Sequence, residues 1–470
     1  MYKLNRQLTF EDFVFPYGKL SPNNEWVKLA GIIPWDKVEE QYAAKFVNDG
    51  HPAHPARMAF GSLVIKQMLD CSDAWTVRHI RENPYMQYFI GLKEYSEECP
   101  FGESTMVAFR KRFGEDVLAE VNELIIGEKD DDSDDSGGSD GDRDENEGTL
   151  ILDATCTPSD ITFPQDLDLL NEAREKLEAI MDELHEQVGG EKPRNYRKKA
   201  RKDYLKVSKS KKKTAPQIRK ALRKQLGYVY RDIMIVAGMV RAGAHLTVRQ
   251  GYLLNTITTL YEQQLTMYEN KINKIPDRIV SISQPWVRPI VRGKKKVKTE
   301  FGAKLHLSLA GGYARVEELS FDAYNEAEDF IAAVERFRTR TGHYPKKILA
   351  DKLYRNRDNL NYCTEHHIEI TGPRLGRPPK DYRPDKKREY ADICERNTIE
   401  GRFGTGKQSY GLARIKARLE ETSKTVIHLA VIVLNLRKKL AELLRLFFRF
   451  DRIMIFVLLL VSQPALLTEK

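Results

Sequence analysis

Between His54 and Leu92 apolar and polar residues recur with helical period until Pro84 interrupts them. A further helix is predicted from Ser104 or Thr105, either of which can cap it. Phe109, Phe113, Val117, Val121, Leu124 and Ile125 supply its buried stripe. Residues 1–127 therefore read as a helical N-terminal domain. Thr149 to Phe163 is strand-like, and helical stretches follow over Asp166–Gln187 and from Ala215 to Lys274. From Arg278 to Phe321 the period falls to two, predicting strands at Ile279–Ile282, Lys304–Leu309 and Ala314–Leu319. Asn325 with Glu328 forms a capping-box pattern before a helix whose stripe is Phe330, Ile331, Val334 and Phe337. A strand at Lys347–Ala350 and a helix from Asn356 complete the order. The fold class is mixed α/β with a central sheet over residues 149–445, carrying a helical insertion at 164–277.

Charge sharpens the picture. Across 470 residues, 77 Lys and Arg outnumber 68 Asp and Glu, a formal net charge of +9 that favours an anionic partner, nucleic acid first. The charges are segregated. Residues 128–148 are acidic and poor in apolar side chains, so a disordered linker is expected there. Lys192–Lys213 sets twelve bases against Asp203 alone, with Tyr196 and Tyr204 interleaved. That density suits phosphate neutralisation, making Lys198, Lys199, Arg201, Lys202, Lys211, Lys212 and Lys213 candidate DNA contacts. Arg110 and Lys111, set among the aromatics of the N-terminal domain, fit either a DNA-binding surface or a solvated helix face.

The five cysteines form no C-x-x-C pair, so neither a disulfide framework nor a structural zinc site is indicated, and a reducing cytoplasm fits best. The first residues lack the apolar core of a signal peptide, so secretion is not expected. The greasy tail at 446–470 is broken by Arg449, Asp451 and Arg452, which argues against a membrane span and for a packed helix.

The segment Glu395–Leu412 carries the candidate chemistry. Arg396, Glu400, Phe403 and Lys407 fall at i, i+4, i+7 and i+11, one face of a helix. Two apolar runs upstream each end on an aspartate, Asp153 and Asp351. Phosphodiester cleavage needs charge neutralisation on the attacking and leaving oxygens, which two Mg²⁺ ions about 3.5–4 Å apart supply. Mg²⁺ prefers oxygen ligands and keeps several waters, so a few carboxylates suffice. Asp153 is assigned to bridge two ions, with Asp351 on one and Glu400 on the other. Arg396 and Lys407 would hold the DNA backbone. The alternatives are ordinary: an aspartate at a strand end caps a turn, and Arg396 with Glu400 makes an i,i+4 ion pair.

Rival motifs are weaker. Gly401–Gln408 is one residue from a P-loop, but Gln408 replaces the needed hydroxyl and no apolar strand leads in. The three glycines at 401, 404 and 406 each cost helix stability, about 1 kcal/mol against alanine, so either DNA approaches closely or the helix frays after Glu400. His51, His54, His366 and His367 read as ordinary loop or surface residues. Gly137–Gly141 matches G-x-S-x-G only within the acidic linker. Asp322 is the rival for the second acid.

On these residues the chain resembles a DDE transposase of a bacterial insertion sequence. The family signature Tyr-x2-Arg-x3-Glu-x6-Lys is met by Arg396, Glu400 and Lys407, whereas Ile393 stands where the tyrosine belongs. Asp351-Lys-Leu-Tyr354 resembles the family's Asp-x-x-Tyr, and Leu152-Asp153-Ala-Thr its first acidic strand. Asn83–Leu92 and Phe101–Arg110 are similar to an InsH-like N-terminal domain. The resemblance implies a ribonuclease-H-like catalytic domain in which Asp153, Asp351 and Glu400 are catalytic and bind two Mg²⁺ ions, with Mn²⁺ able to substitute. It implies cleavage at transposon ends and 3′-hydroxyl strand transfer. The partners would be double-stranded DNA, as terminal inverted repeats and target, and further copies of the chain as a homodimer or higher oligomer. Location would be cytoplasmic and nucleoid-associated, with no membrane partner. A ribonuclease-H-like nuclease without strand transfer and a noncatalytic DNA-binding descendant are the alternative readings.

Overall fold

Capping residues fix where the first helices start. Asn24 accepts from Trp26 N at 2.9 Å to open α1 (Glu25–Ile32), followed by α2 (Trp35–Ala43) and α3 (Ala56–Leu69). Ser72 caps α4 (Asp73–Glu82), and Asn83 caps α5 (Pro84–Phe89) with Pro84 in its first turn. The stripe predicted as one helix is two, α6 (Thr105–Arg112) and α7 (Glu115–Ile126), because Phe113 and Gly114 leave helical geometry. No side chain caps α6: Ser104 itself takes helical dihedrals. The chain is seen in a computed structural model that describes residues 7–46, 53–127, 146–291, 299–372 and 385–461, with side chains as far as residue 445. The expected linker lies outside the described residues apart from Asn146, Glu147 and Gly148, as does His51.

Among the described residues six strands form one sheet: β1 (Thr149–Pro158), β2 (Arg288–Val291), β3 (Thr299–Ala310), β4 (Tyr313–Ser320), β5 (Lys347–Leu349) and β6 (Glu369–Ile370). Their order is β2-β3-β1-β5-β6, with β4 also paired to β3. β3 is antiparallel to β1, whereas β1, β5 and β6 are mutually parallel neighbours. Gly311 and Gly312, both at positive φ, make the two-residue turn from β3 to β4. The strand expected at Ile279–Ile282 is absent. Those residues are buried without ladder partners, and Ile279 and Ile282 pack into the helical insertion.

That insertion is α8 (Asp166–Val188), α9 (Arg197–Ser208), α10 (Ala215–Arg241) and α11 (Val248–Asn270). The break between α10 and α11 comes at Gly243, at φ +102°, before Thr247 and Gln250 form a capping box. Leu170, Leu177, Leu184, Val229, Val236 and Leu260 belong to its own buried core.

The C-terminal half adds α12 (Phe330–Thr341), α13 (Arg357–Glu365), α14 (Lys386–Ser409) and α15 (Glu420–Val461). α12 starts one turn later than the capping pattern suggests, because Asn325 caps only the turn at Ala327 and Glu328. α15 contacts α1, α3, α6, α7, α14 and β4. Consequently the helices of residues 1–127 share one buried cluster with α15 and one sheet face. At the join, Asn435 Nδ2 donates to Asn122 Oδ1 at 2.8 Å and to Ala314 O at 2.7 Å, while its Oδ1 accepts from Ala314 N. Residue 127 divides the sequence but not the core. Among the described residues no helix is long and apolar enough to cross a membrane.

Candidate functional site

Strand alternation decides where the acids point. Ile151 and Leu349 are buried with Ile399 and Phe403 of α14, whereas Leu150, Leu152, Ile348 and Ala350 are buried with Phe330 and Phe337 of α12. Odd positions of β1 and β5 therefore face α14. Ile151 and Leu349 are register partners, and Asp153 and Asp351 each lie two residues further on. Both aspartates thus stand on the α14 side, at the carboxyl-end side of a parallel strand pair, where open α/β sheets commonly bind ligands.

α14 continues unbroken past Glu400 to Ser409, so the helix does not fray. Gly406 is the glycine that packing requires: a Cβ there would meet Leu412 Cδ1 at 2.7 Å, while positions 401 and 404 face open space. With Phe403 buried against the sheet, Arg396 and Lys407 are half-buried and Glu400 is exposed. Arg396 Nη1 lies 3.7 Å from Asp351 Oδ1, and Lys407 Nζ donates to Thr155 Oγ1 at 2.8 Å. Both cations expected on the DNA backbone are thus engaged with the sheet. Thr155, on the same face of β1 as Asp153, was not singled out from sequence; its i+2 spacing was the available signal.

Burial pushes the Asp153 carboxyl above its ordinary range, opposed by the Ala154 N–H and Arg396 and reinforced by the negative charges of Asp351 and Glu400. Asp153 therefore feels the charge of both other acids. Asp351 also caps the short 3-10 turn Lys352–Tyr354 by accepting from Lys352 N at 2.7 Å. Among the described residues, however, no three His, Cys, Asp or Glu side chains are gathered closely enough to hold one ion. The expected tight cluster is therefore not formed as the side chains stand. The donor chemistry does fit a hard cation, being three carboxylates with a like-charge excess around the most buried one. Asp322, the rival second acid, is highly exposed beyond β4 and lies 3.5 Å from Arg288.

Behind the sheet, His306 of β3 is fully buried, its Nδ1 2.8 Å from Asp329 Oδ2, and its ring stacks on Tyr354. Arg336 joins Asp329 to the buried Glu317, and Arg340 binds Glu317 as well. The tyrosine of Asp-x-x-Tyr is thus part of the packing under the acids.

The predicted DNA contacts divide. Lys198, Lys199, Arg201 and Lys202 are exposed on α9, as are Lys211, Lys212 and Lys213 beyond it. The opposite side of α9 is clamped: Arg197 binds Asp182, Tyr204 donates to Asp168, and Tyr228 and Lys224 bind Asp203. Arg110 requires correction. It is 9% exposed and makes two 2.7 Å bonds to Asp73, so its charge is spent inside the N-terminal helices. Lys111 is exposed. His54 packs edge-on to Phe101 and Phe109, and His366 against Tyr344 and Tyr362, with no ligand set around either among the described residues.

Comparison with known proteins agrees with both ends of this layout. Residues 15–112 match the family described as transposase domain (DUF772), and residues 348–437 match the transposase DDE domain. The second match includes Asp351 and Glu400. A curated relative, an uncharacterized protein designated ORF8 in the nfe locus of Rhizobium meliloti, is 36% identical over 102 residues. That alignment is 22% of this chain, and the chain spans about half (49%) of the relative's length. No solved structure matches. With a match to a transposase domain toward its N-terminus and a match to a transposase DDE domain toward its C-terminus, the chain resembles a DDE transposase.

Proposed function

We propose that the protein is a metal-dependent DNA transposase that cleaves at transposon ends and joins the freed 3′-hydroxyl to target DNA. The reading is carried by Asp153 and Asp351 standing side by side on parallel neighbours, with Glu400 electrostatically coupled from α14. The order β4-β3-β1-β5-β6, with β3 antiparallel and β5 and β6 parallel to β1, supports the ribonuclease-H-like assignment of the sheet.

Asp153, Asp351 and Glu400 would hold two Mg²⁺ ions, or Mn²⁺. When bound, the metal supplies an activated water and neutralises charge on the attacking and leaving oxygens. Asp153, raised by burial and by its acidic neighbours, is the acid with most to gain from a cation. Arg396 balances the acids through Asp351, and its exchange toward a substrate phosphate would free that carboxylate. Lys407, held by Thr155, places a positive charge beside β1. The exposed lysines and arginines of α9 would add phosphate contacts on double-stranded DNA. Synapsis of two ends calls for a homodimer or larger assembly.

The test is incubation with labelled DNA bearing the flanking terminal repeats and Mg²⁺. End cleavage and joining are expected, abolished by Glu400→Gln with binding retained. That no three acids are gathered around one ion among the described residues favours one second reading, a noncatalytic DNA-binding descendant. Binding without cleavage in Mg²⁺ or Mn²⁺ would establish that reading instead.

A further inference from the structure

Beyond the candidate triad, β1 runs on from Asp153 through Thr155 to Ser159, where a parallel bridge to Ile415 brings in the segment after α14. Ile415 N donates to Pro158 O at 2.8 Å, and Asp160 N to Ile415 O at 2.9 Å. Ile415 is buried and Ala417 half-buried, so the alternating Arg414, Lys416 and Arg418 turn outward, all three exposed. Alternate residues of an extended segment are about 6.6 Å apart, comparable to the separation of successive phosphates along a sugar–phosphate strand.

The same three residues border a cleft of about 440 Å³ whose far wall is α3, α4 and α6, including Lys66 and the partly exposed Val107. Arg414 binds Asp160 and Lys416 lies 3.4 Å from Asp70. Their side chains are 68% and 61% exposed, and ion pairs so open to water are weak enough to exchange for phosphate. Among the described residues no carboxylate pairs with Arg418.

We propose that Arg414, Lys416 and Arg418 form a backbone-tracking subsite for the DNA strand leading away from Asp153, Asp351 and Glu400. The proposal rests on the transposase reading above. From Asp153 to Ser159 is about 20 Å of extended chain, so Lys407 beside Thr155 and then this row make a line of cations along β1. One polynucleotide strand can follow that line from the reacting phosphodiester to the cleft. The row carries charge but no base-reading geometry, so it serves affinity and register.

The test is equilibrium binding of a short fluorescent duplex of arbitrary sequence, without divalent metal, across a salt series. For the full chain carrying Arg414→Gln, Lys416→Gln and Arg418→Gln, the slope of log K against log salt should flatten by about 2 to 3, near 0.9 per lost duplex contact. Should the triple variant misfold, Arg418→Gln alone should flatten it by about 0.9. An unchanged slope with wild-type affinity overturns the subsite while leaving the transposase reading intact. Failure of the wild type to bind any DNA overturns both.

Discussion

Lys407 Nζ lies 2.8 Å from Thr155 Oγ1, which ties α14 to the face of β1 that carries Asp153. This contact ranks two substitutions. Thr155→Val removes one hydrogen bond, a net of about 0.5–1.5 kcal/mol, so end cleavage should fall from a few-fold to about tenfold. Lys407→Met removes the charge as well and should cost more. Single-turnover cleavage at saturating protein separates these effects from binding, and equal rates for both variants would exclude a role for the charge.

Arg110 belongs to stability. Arg110→Met leaves Asp73 facing only Lys66 and should destabilise the protein by about 3 kcal/mol, the lower end for breaking one side of a buried pair. Lys111→Gln, by contrast, should leave the thermal midpoint unchanged. Denaturant titration compares them, and equal loss for both would contradict the assignment.

The Asn122–Asn435 pair joins the N-terminal helices to β4 and α15. Asn435→Leu strands the Ala314 backbone N–H that its Oδ1 accepts from, together with the Asn122 Oδ1 to which its Nδ2 donates, at about 1–3 kcal/mol for each buried group left unsatisfied. Because the core is shared, hydrogen exchange should quicken together in α7, β4 and α15. Loss confined to one of them would show two independent domains.

Asp232 gives the insertion a pH dependence. Burial, with the negative charge of Glu178, pushes its carboxyl from 3.8 to about 7, against Arg174, Arg231 and Arg197. Between those values the folded protein keeps a proton that the unfolded chain has released, so this group's contribution to stability falls as pH rises from 3.8 to about 7. Asp232→Asn removes that slope. Its thermal midpoint should exceed the wild type's at pH 8 and converge with it near pH 4, followed by calorimetry. A constant difference across that range would place the effect elsewhere.

Gly406→Leu should be far worse than Gly404→Leu, since only the first has Leu412 and Leu434 against it. Overpacking of this kind typically costs about 1–3 kcal/mol. Expression and thermal midpoint report the contrast, and comparable losses at both positions would mean that helix propensity rather than packing governs.

Most of the architecture was legible because it is local. Periodicity located α8, α13, β3, β4 and β5, and apolar runs ending at Asp153 and Asp351 marked two strands that pair in parallel. The spacing of Arg396, Glu400 and Lys407 marked one helix, which the structure contains whole. Boundaries set by single residues escaped, as at Gly114 and Gly243, where a short break leaves the hydrophobic stripe intact on both sides.

What the sequence determined by itself is the set of elements and which of their faces are apolar, since both follow from side-chain periodicity along the chain. Only the tertiary structure decided which charges were free. Arg110 and Arg197 look like their basic neighbours in sequence, yet each meets an acid brought from another helix, Asp73 and Asp182. Lys416 and Arg418 look unremarkable in sequence, yet a bridge at Ser159 sets them at the far end of the strand that carries Asp153. Partners distant in sequence set the field and the solvation of each charge, and these govern what it can bind.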